Sequence, residues 1–129
     1  MLKKIISIVP RWFPALVMML VIFAFSSQPR ANLPFFLDWD YVVKKAGHFI
    51  GYGLLALSYF HMLKYNNKQY WLAWTFAVLY AATDEFHQSF VPGRSPSIVD
   101  VFLFDGLGAF TALWLYSLGW GKRNKSSIE

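Results

Sequence analysis

Long apolar runs alternate with short polar breaks along this chain, and four runs stand out. The first spans Trp12 to Phe25 (WFPALVMMLVIFAF), and Ile5 to Val9 extend it towards the ~20 residues a membrane-crossing helix needs. Pro10 and Pro14 fall near its start, where a helix tolerates proline best. The second runs from Ala46 to Leu63 and carries Gly47, Gly51 and Gly53, small residues that let helices approach closely in lipid. The third opens at Tyr70-Trp71 and is apolar only to Ala82. Crossing ~30 Å at ~1.5 Å per residue carries it to about Phe90, which places Asp84, Glu85, His87 and Gln88 in its last turns. The fourth covers Ile98 to Leu118 and contains Asp100 and Asp105. The pattern predicts an all-α integral membrane protein: a four-helix transmembrane bundle with helices over about 5–25, 45–63, 70–90 and 97–118, forming one domain across 1–129. A signal peptide competes for the first run, through its basic start and the small-x-small Ala24-Phe25-Ser26. The three later runs favour a retained helix.

Composition agrees with lipid as a solvent. The 129 residues are 57% hydrophobic and 15% charged, against about a quarter charged in soluble domains, so little polar surface is available to cover a globule. Cysteine is absent, which excludes disulfides, thiolate metal sites and a cysteine nucleophile. The net charge of +5 raises nucleic acid or anionic lipid as partners, and the flanking placement of the cations points to membrane topology and away from nucleic acid. With four spans, Lys3, Lys4, Arg11, Lys64, Lys68, Lys122, Arg123 and Lys125 share one side, and Arg30, Lys44, Lys45 and Arg94 the other. Eight against four places both termini in the cytoplasm. Asp38, Asp40, Asp84, Glu85, Asp100 and Asp105 then lie towards the outer face, leaving Glu129 in the tail. Gln28 to Asp40 reads as an outer interfacial loop and Gly119 to Glu129 as a solvated tail.

The acids bring the candidate chemistry. Asp84, His87 and Gln88 stand at i, i+3 and i+4 and share a helical face, with Glu85 turned about 100° away. Lys45, His48 and Tyr52 form a second stripe at i, i+3 and i+7. Val91-Pro92-Gly93-Arg94 reads as a turn, and Asp100 sits in a first helical turn, where the dipole favours an anion. Asp105 lies two turns into an apolar helix, at a cost of about 2.5–3.5 kcal/mol near mid-membrane, so it needs a partner; Arg94, Lys45 and His48 are the candidates. Taken singly, each group has a plain structural role: a packing histidine, a helix-start acid, a boundary lysine. Their density near one face favours a functional site. Three chemistries stay open. Asp84-x-x-His87 with Glu85, Asp100 or Asp105 could hold a metal; His87 or His48 beside carboxylates could serve as acid and base; Arg94 and Lys45 could hold a phosphate.

Ser26-Ser27-Gln28-Pro29, Lys45-x-x-His48-Phe49-x-x-Tyr52, and Thr83-Asp84-Glu85-Phe86-His87-Gln88-Ser89-Phe90-Val91-Pro92-Gly93-Arg94-Ser95 followed by Asp100 and Asp105-x-x-Gly108 resemble the VanZ-like family of bacterial membrane proteins, from about Phe25 to Gly108. The resemblance implies a multi-pass protein of the bacterial cytoplasmic membrane with its polar motifs near the outer face, in a family named for a protein that raises teicoplanin resistance. By match to the motifs, the family's polar positions are Ser27, Gln28, Lys45, His48, Tyr52, Asp84, Glu85, Gln88, Arg94, Asp100 and Asp105. The expectation is an outward-facing pocket for a membrane lipid or lipid-linked, phosphate-bearing envelope molecule. Arg94 and Lys45 would hold the anionic group, Asp84, Glu85, His87 and His48 would be acid–base or metal candidates, and Asp100 and Asp105 would orient the cations. A non-catalytic shielding protein is the alternative; a small oligomeric transporter is a weaker one, since no inverted repeat or broken mid-helix is visible. Any cofactor and the oligomeric state are open.

Overall fold

The computed structural model describes residues 1–29, 39–94 and 96–126. Among these, every regular element is helical: α1 (Leu2–Ile8), α2 (Phe13–Ser26), α3 (Asp40–Met62), α4 (Tyr70–Gln88), α5 (Ile98–Asp100) and α6 (Leu107–Ser126). A short 3-10 turn, Asn67–Gln69, precedes α4, and a π-helical segment, Val101–Gly106, joins α5 to α6. Arg30 and Asp38, read from the sequence as part of an outer loop, lie outside the described residues.

The all-helical class holds, and four boundaries differ from the sequence reading. The first run is broken: α1 and α2 meet at 81°, because Pro10 cannot donate to a continuing helix and Pro14 starts a new one from its first turn. The second helix begins at Asp40, one turn earlier than expected. The third stops at Gln88 instead of Phe90, closed by Ser89 and the turn in which Gly93 takes φ 74°, a conformation glycine adopts without strain. The fourth continues as helix through Ser126, so the expected tail is helical there. Among the described residues, by length and composition, one helix, Ile98–Gly119, is long and apolar enough to cross a membrane, and the bent α1–α2 pair counts as a second if it forms one span.

Helix α3 is the central element, packed against α2, α4, the π segment and α6. The interior combines large side chains, Tyr52, Leu55 and Phe60 among them, with small residues at the helix contacts. Ala73, Ala77 and Ala81 bury one stripe of α4, and Gly53 of α3 lies against the Gly108 backbone and Ala112 of α6. A β-carbon on Gly108 would overlap the Phe49 carbonyl, so the two backbones touch where only glycine fits. Many large apolar side chains also point outwards: Leu16, Leu20 and Phe23 on α2, Ile50 and Leu54 on α3, Leu79 and Phe86 on α4, Phe110 and Trp114 on α6 are all exposed. So much exposed large apolar surface departs from the usual order of a water-soluble protein.

The two ends of this assembly differ in chemistry. One carries an aromatic cluster in which Phe60 stacks on Tyr70 at 4.3 Å and Tyr65 on Tyr116 at 5.4 Å. Lys64 and Tyr65, both at positive φ, close α3 there, with the Tyr65 amide donating to the Phe60 carbonyl at 3.0 Å. The other end gathers the C-termini of α2 and α4 with the N-terminal halves of α3 and of the α5–π–α6 rod, and it holds the polar groups.

Candidate functional site

Asp84 is the hub. One turn before the end of α4 it is 4% exposed, and its Oδ2 accepts from Ser26 Oγ (2.7 Å), Tyr52 OH (3.0 Å) and Gln88 Nε2 (3.3 Å). Gln88 Nε2 also reaches Ser26 Oγ at 3.2 Å. Three helices thus meet on one carboxylate oxygen. The other oxygen, Oδ1, is buried without a hydrogen-bond partner among the described residues.

The lysine–histidine–tyrosine stripe of α3 takes a different acid at each step. Lys45 pairs with Asp100, His48 Nδ1 with Asp105 Oδ1 at 3.0 Å, and Tyr52 with Asp84. Of the three partners considered for Asp105, the structure selects His48. Asp105 is 2% exposed and sits in the π segment, whose wider turn leaves the Gly106 carbonyl to accept from Trp74 Nε1 at 3.0 Å. Since a carboxylate only accepts, His48 donates from Nδ1, which leaves Nε2 as the acceptor of the neutral ring.

Other motif residues tie helix ends together. Arg94 Nε and Nη2 donate to the carbonyls of Gln28 (3.0 Å) and Phe25 (2.6 Å), placing a cation at the negative end of the α2 dipole. Glu85 Oε2 accepts the Ser97 amide at 2.9 Å, capping the start of the α5–π–α6 rod from α4. Ser27 Oγ donates to the Phe23 carbonyl at 2.8 Å. That hydroxyl has one proton to give, so the 3.0 Å contact with His87 is a donation from imidazole Nε2–H to Ser27. With Phe23 stacked on the ring at 4.7 Å, His87 docks α4 against α2. Asp84 and His87 share a face of α4 yet engage different serines, Ser26 and Ser27. Among the described residues no three His, Asp or Glu side chains converge as a metal-ligand set.

A half-enclosed cavity of about 420 Å³ lies between α2 and α3. Its walls are apolar: Met18, Val21, Ile22 and Phe25 from α2, Val43, Gly47 and Gly51 from α3. Val21, Phe25 and Val43 are exposed, so it opens sideways between those two helices. Its polar floor is Ser26, His48, Tyr52, Asp84 and Gln88, and Lys44 and Arg94 stand at its edge. Of the residues singled out from sequence, Arg94, His48, Tyr52, Asp84 and Gln88 come together here; Lys45, Glu85, His87, Ser27, Gln28, Asp100 and Asp105 do not line it. Two polar lining residues were not among the site candidates read from the sequence. Ser26 was visible in the Ser26-Ser27 pair, and Lys44 stands one turn before His48, at i, i+4.

A family model described as VanZ/LLP1 matches residues 9–120. The chain belongs to the VanZ-like family. The match takes in both halves of the cavity and every motif residue described above, and the VanZ-like family is one of membrane proteins linked to glycopeptide resistance. Searches among curated proteins and among solved structures each returned no significant match to this VanZ-like chain.

Proposed function

We propose that the chain crosses the bacterial cytoplasmic membrane four times, with both termini cytoplasmic, and that its cavity opens towards the outer leaflet and binds an amphiphilic, phosphate-bearing envelope molecule. The observation that carries this reading is the cavity itself: an apolar, sideways-open wall continuous with a polar floor and edged by two cations. Such a wall suits an acyl or prenyl chain lying between α2 and α3, and Lys44 and Arg94 suit the phosphate beside it. This assignment moves the lysine role from Lys45, which does not line the cavity, to Lys44, which does. His48, held through Nδ1 by a buried acid, is the residue best placed for acid–base work on a bound molecule.

A second, non-catalytic reading has its own support. Arg94, Glu85, Lys45 and Asp100 all join separate helices, as a scaffold that shields its surroundings would require.

Teicoplanin susceptibility in a sensitive Gram-positive host separates the two, with wild type, Lys44→Ala, Asp84→Asn and Arg94→Ala matched for membrane abundance. Wild type is expected to protect and Lys44→Ala to lose protection while folding normally. Equal protection by all four would move the function off the cavity and support the scaffold. No protection by any would detach this chain from glycopeptides.

A further inference from the structure

Helix α1 belongs neither to the polar end nor to the cavity. At about 100° per residue, Leu2, Ile5, Ile6 and Ile8 fall within one arc of about 160°, and Lys3, Ser7 and Lys4 fill the opposite side. Among the described residues nothing covers the apolar arc: no residue of α1 is buried, and Ile6 and Ile8 are 62% and 75% exposed. The turn that follows, closed by the Phe13 amide on the Pro10 carbonyl at 3.1 Å, sets α1 at 81° to α2. Beside a neighbour that crosses a bilayer, a helix at that angle runs in the plane of the membrane. Its level is marked by Trp12 and Trp71, exposed at the starts of α2 and α4, since tryptophan settles at the membrane–water interface. Charge says what lies against it. Lys3, Lys4 and Arg11 are cationic and no acid precedes Asp38, so the complementary surface is anionic.

Building on the four-crossing reading above, we propose that α1 is an interfacial helix, its apolar arc sunk into the cytoplasmic leaflet and its cations gathering anionic phospholipid headgroups around the start of α2. The partner is the lipid surface itself, met at the boundary between headgroups and acyl chains. This contact replaces the sequence expectation in which Ile5 to Val9 lengthen the first span.

The test places an environment-sensitive fluorophore on single cysteines of the full chain in phosphatidylcholine vesicles: Leu2→Cys, Ile6→Cys, Ser7→Cys, and Leu20→Cys on the exposed side of α2. The quenchers are aqueous iodide and trace lipids spin-labelled either just below the headgroup or near the chain end. Leu2 and Ile6, one turn apart on the apolar arc, are expected to share the shallow quencher, Ser7 to take iodide and Leu20 to take the deep quencher. At Ile6, shallow-labelled phosphatidylglycerol should quench at least about fivefold more than its phosphatidylcholine analogue, the enrichment that one cation near the surface supports. Lys3→Gln with Lys4→Gln should remove most of that difference and leave the depth of Leu20 unchanged. A steady gain in depth from Leu2 to Ile6, roughly 6 Å if α1 continued the span, with Ser7 shielded from iodide, overturns the proposal. So does iodide access at Leu2 and Ile6, or equal quenching by the two lipids. In each of those cases a deep Leu20 leaves the crossing reading standing, whereas iodide access at Leu20 removes that reading and the proposal with it.

Discussion

Asp84 and Asp105 are the most deeply buried acids among the described residues, and their partners differ in kind. Asp84 is satisfied on one oxygen by neutral donors, whereas Asp105 relies on a single imidazole. Removing either member of the His48–Asp105 pair should therefore have unequal effects. His48→Ala strands a carboxylate at 2% exposure and is expected to cost about 3 kcal/mol. Asp105→Asn keeps an oxygen for the Nδ1 proton and should cost about 1 kcal/mol. Thermal unfolding in detergent checks the order, and equal losses would mean that the pair carries no charge. At this scale the sequence is informative about which residues matter and less so about which neighbour each takes. The i, i+3, i+7 stripe of Lys45, His48 and Tyr52 is visible in it, yet each member reaches a different acid, because which helices lie side by side is not written in the spacing. Arg94 shows the limit most clearly: its cationic character is plain, while its bonds to the Gln28 and Phe25 carbonyls depend on where α2 ends.

Along the helices, the feature the sequence conceals is the π segment Val101–Gly106. In an α-helix Asp100 and Asp105, five residues apart, would lie about 140° from each other and could not both face α3. A π turn closes at i+5, and the D-x-x-x-x-D spacing then puts both acids within reach of the same α3 stripe. Deleting Leu103 should restore α-helical pitch with the two acids at i, i+4, about 40° apart, so that both still face α3. The expected result is a stably inserted protein that keeps the Lys45–Asp100 pair, read as non-additivity in a Lys45→Ala, Asp100→Ala cycle within the deletion background. Additivity there would show that the pair needs the π turn itself. Glycines make a second prediction between helices. Gly108→Ala collides with the Phe49 backbone, whereas a β-carbon at Gly51 meets nothing within 4 Å. Gly108→Ala should destabilise by at least about 2 kcal/mol, and Gly51→Ala should be neutral or stabilising by up to about 1 kcal/mol, by melting temperature. The small-residue character of both positions is readable in sequence; which of them sits in a backbone contact is not.

Across the whole molecule, apolar side chains cover the outside and the polar groups gather at one end, as the charge asymmetry of the sequence suggests. The four-crossing topology is directly testable because the chain has no cysteine of its own. Single cysteines at Asn67, in the 3-10 turn before α4, and at Pro92, in the turn after it, both exposed, should behave oppositely in intact cells. An impermeant thiol reagent is expected to label Pro92→Cys from outside and Asn67→Cys only after permeabilisation; the reverse pattern would invert the topology and place the cavity on the cytoplasmic side. The four hydrophobic runs are legible in the residue pattern alone, whereas the sharp break at Pro10 is not, since proline near a helix start is compatible with either a continuous or a broken rod.

That break also shapes the surrounding bilayer. Helix α2 has 14 residues and reaches about 21 Å, well short of the ~30 Å hydrocarbon thickness, while α1 turns off at 81° and cannot make up the difference along the same axis. On the four-crossing reading, lipids beside α2 must compress to meet it, at a modest cost for each ångström of mismatch. Because α2 is also one wall of the cavity, the dimple forms at its mouth and draws headgroups down to the level of Lys44 and Arg94. Short-chain bilayers, in which that compression is already present, should then load the protein more readily than thick ones.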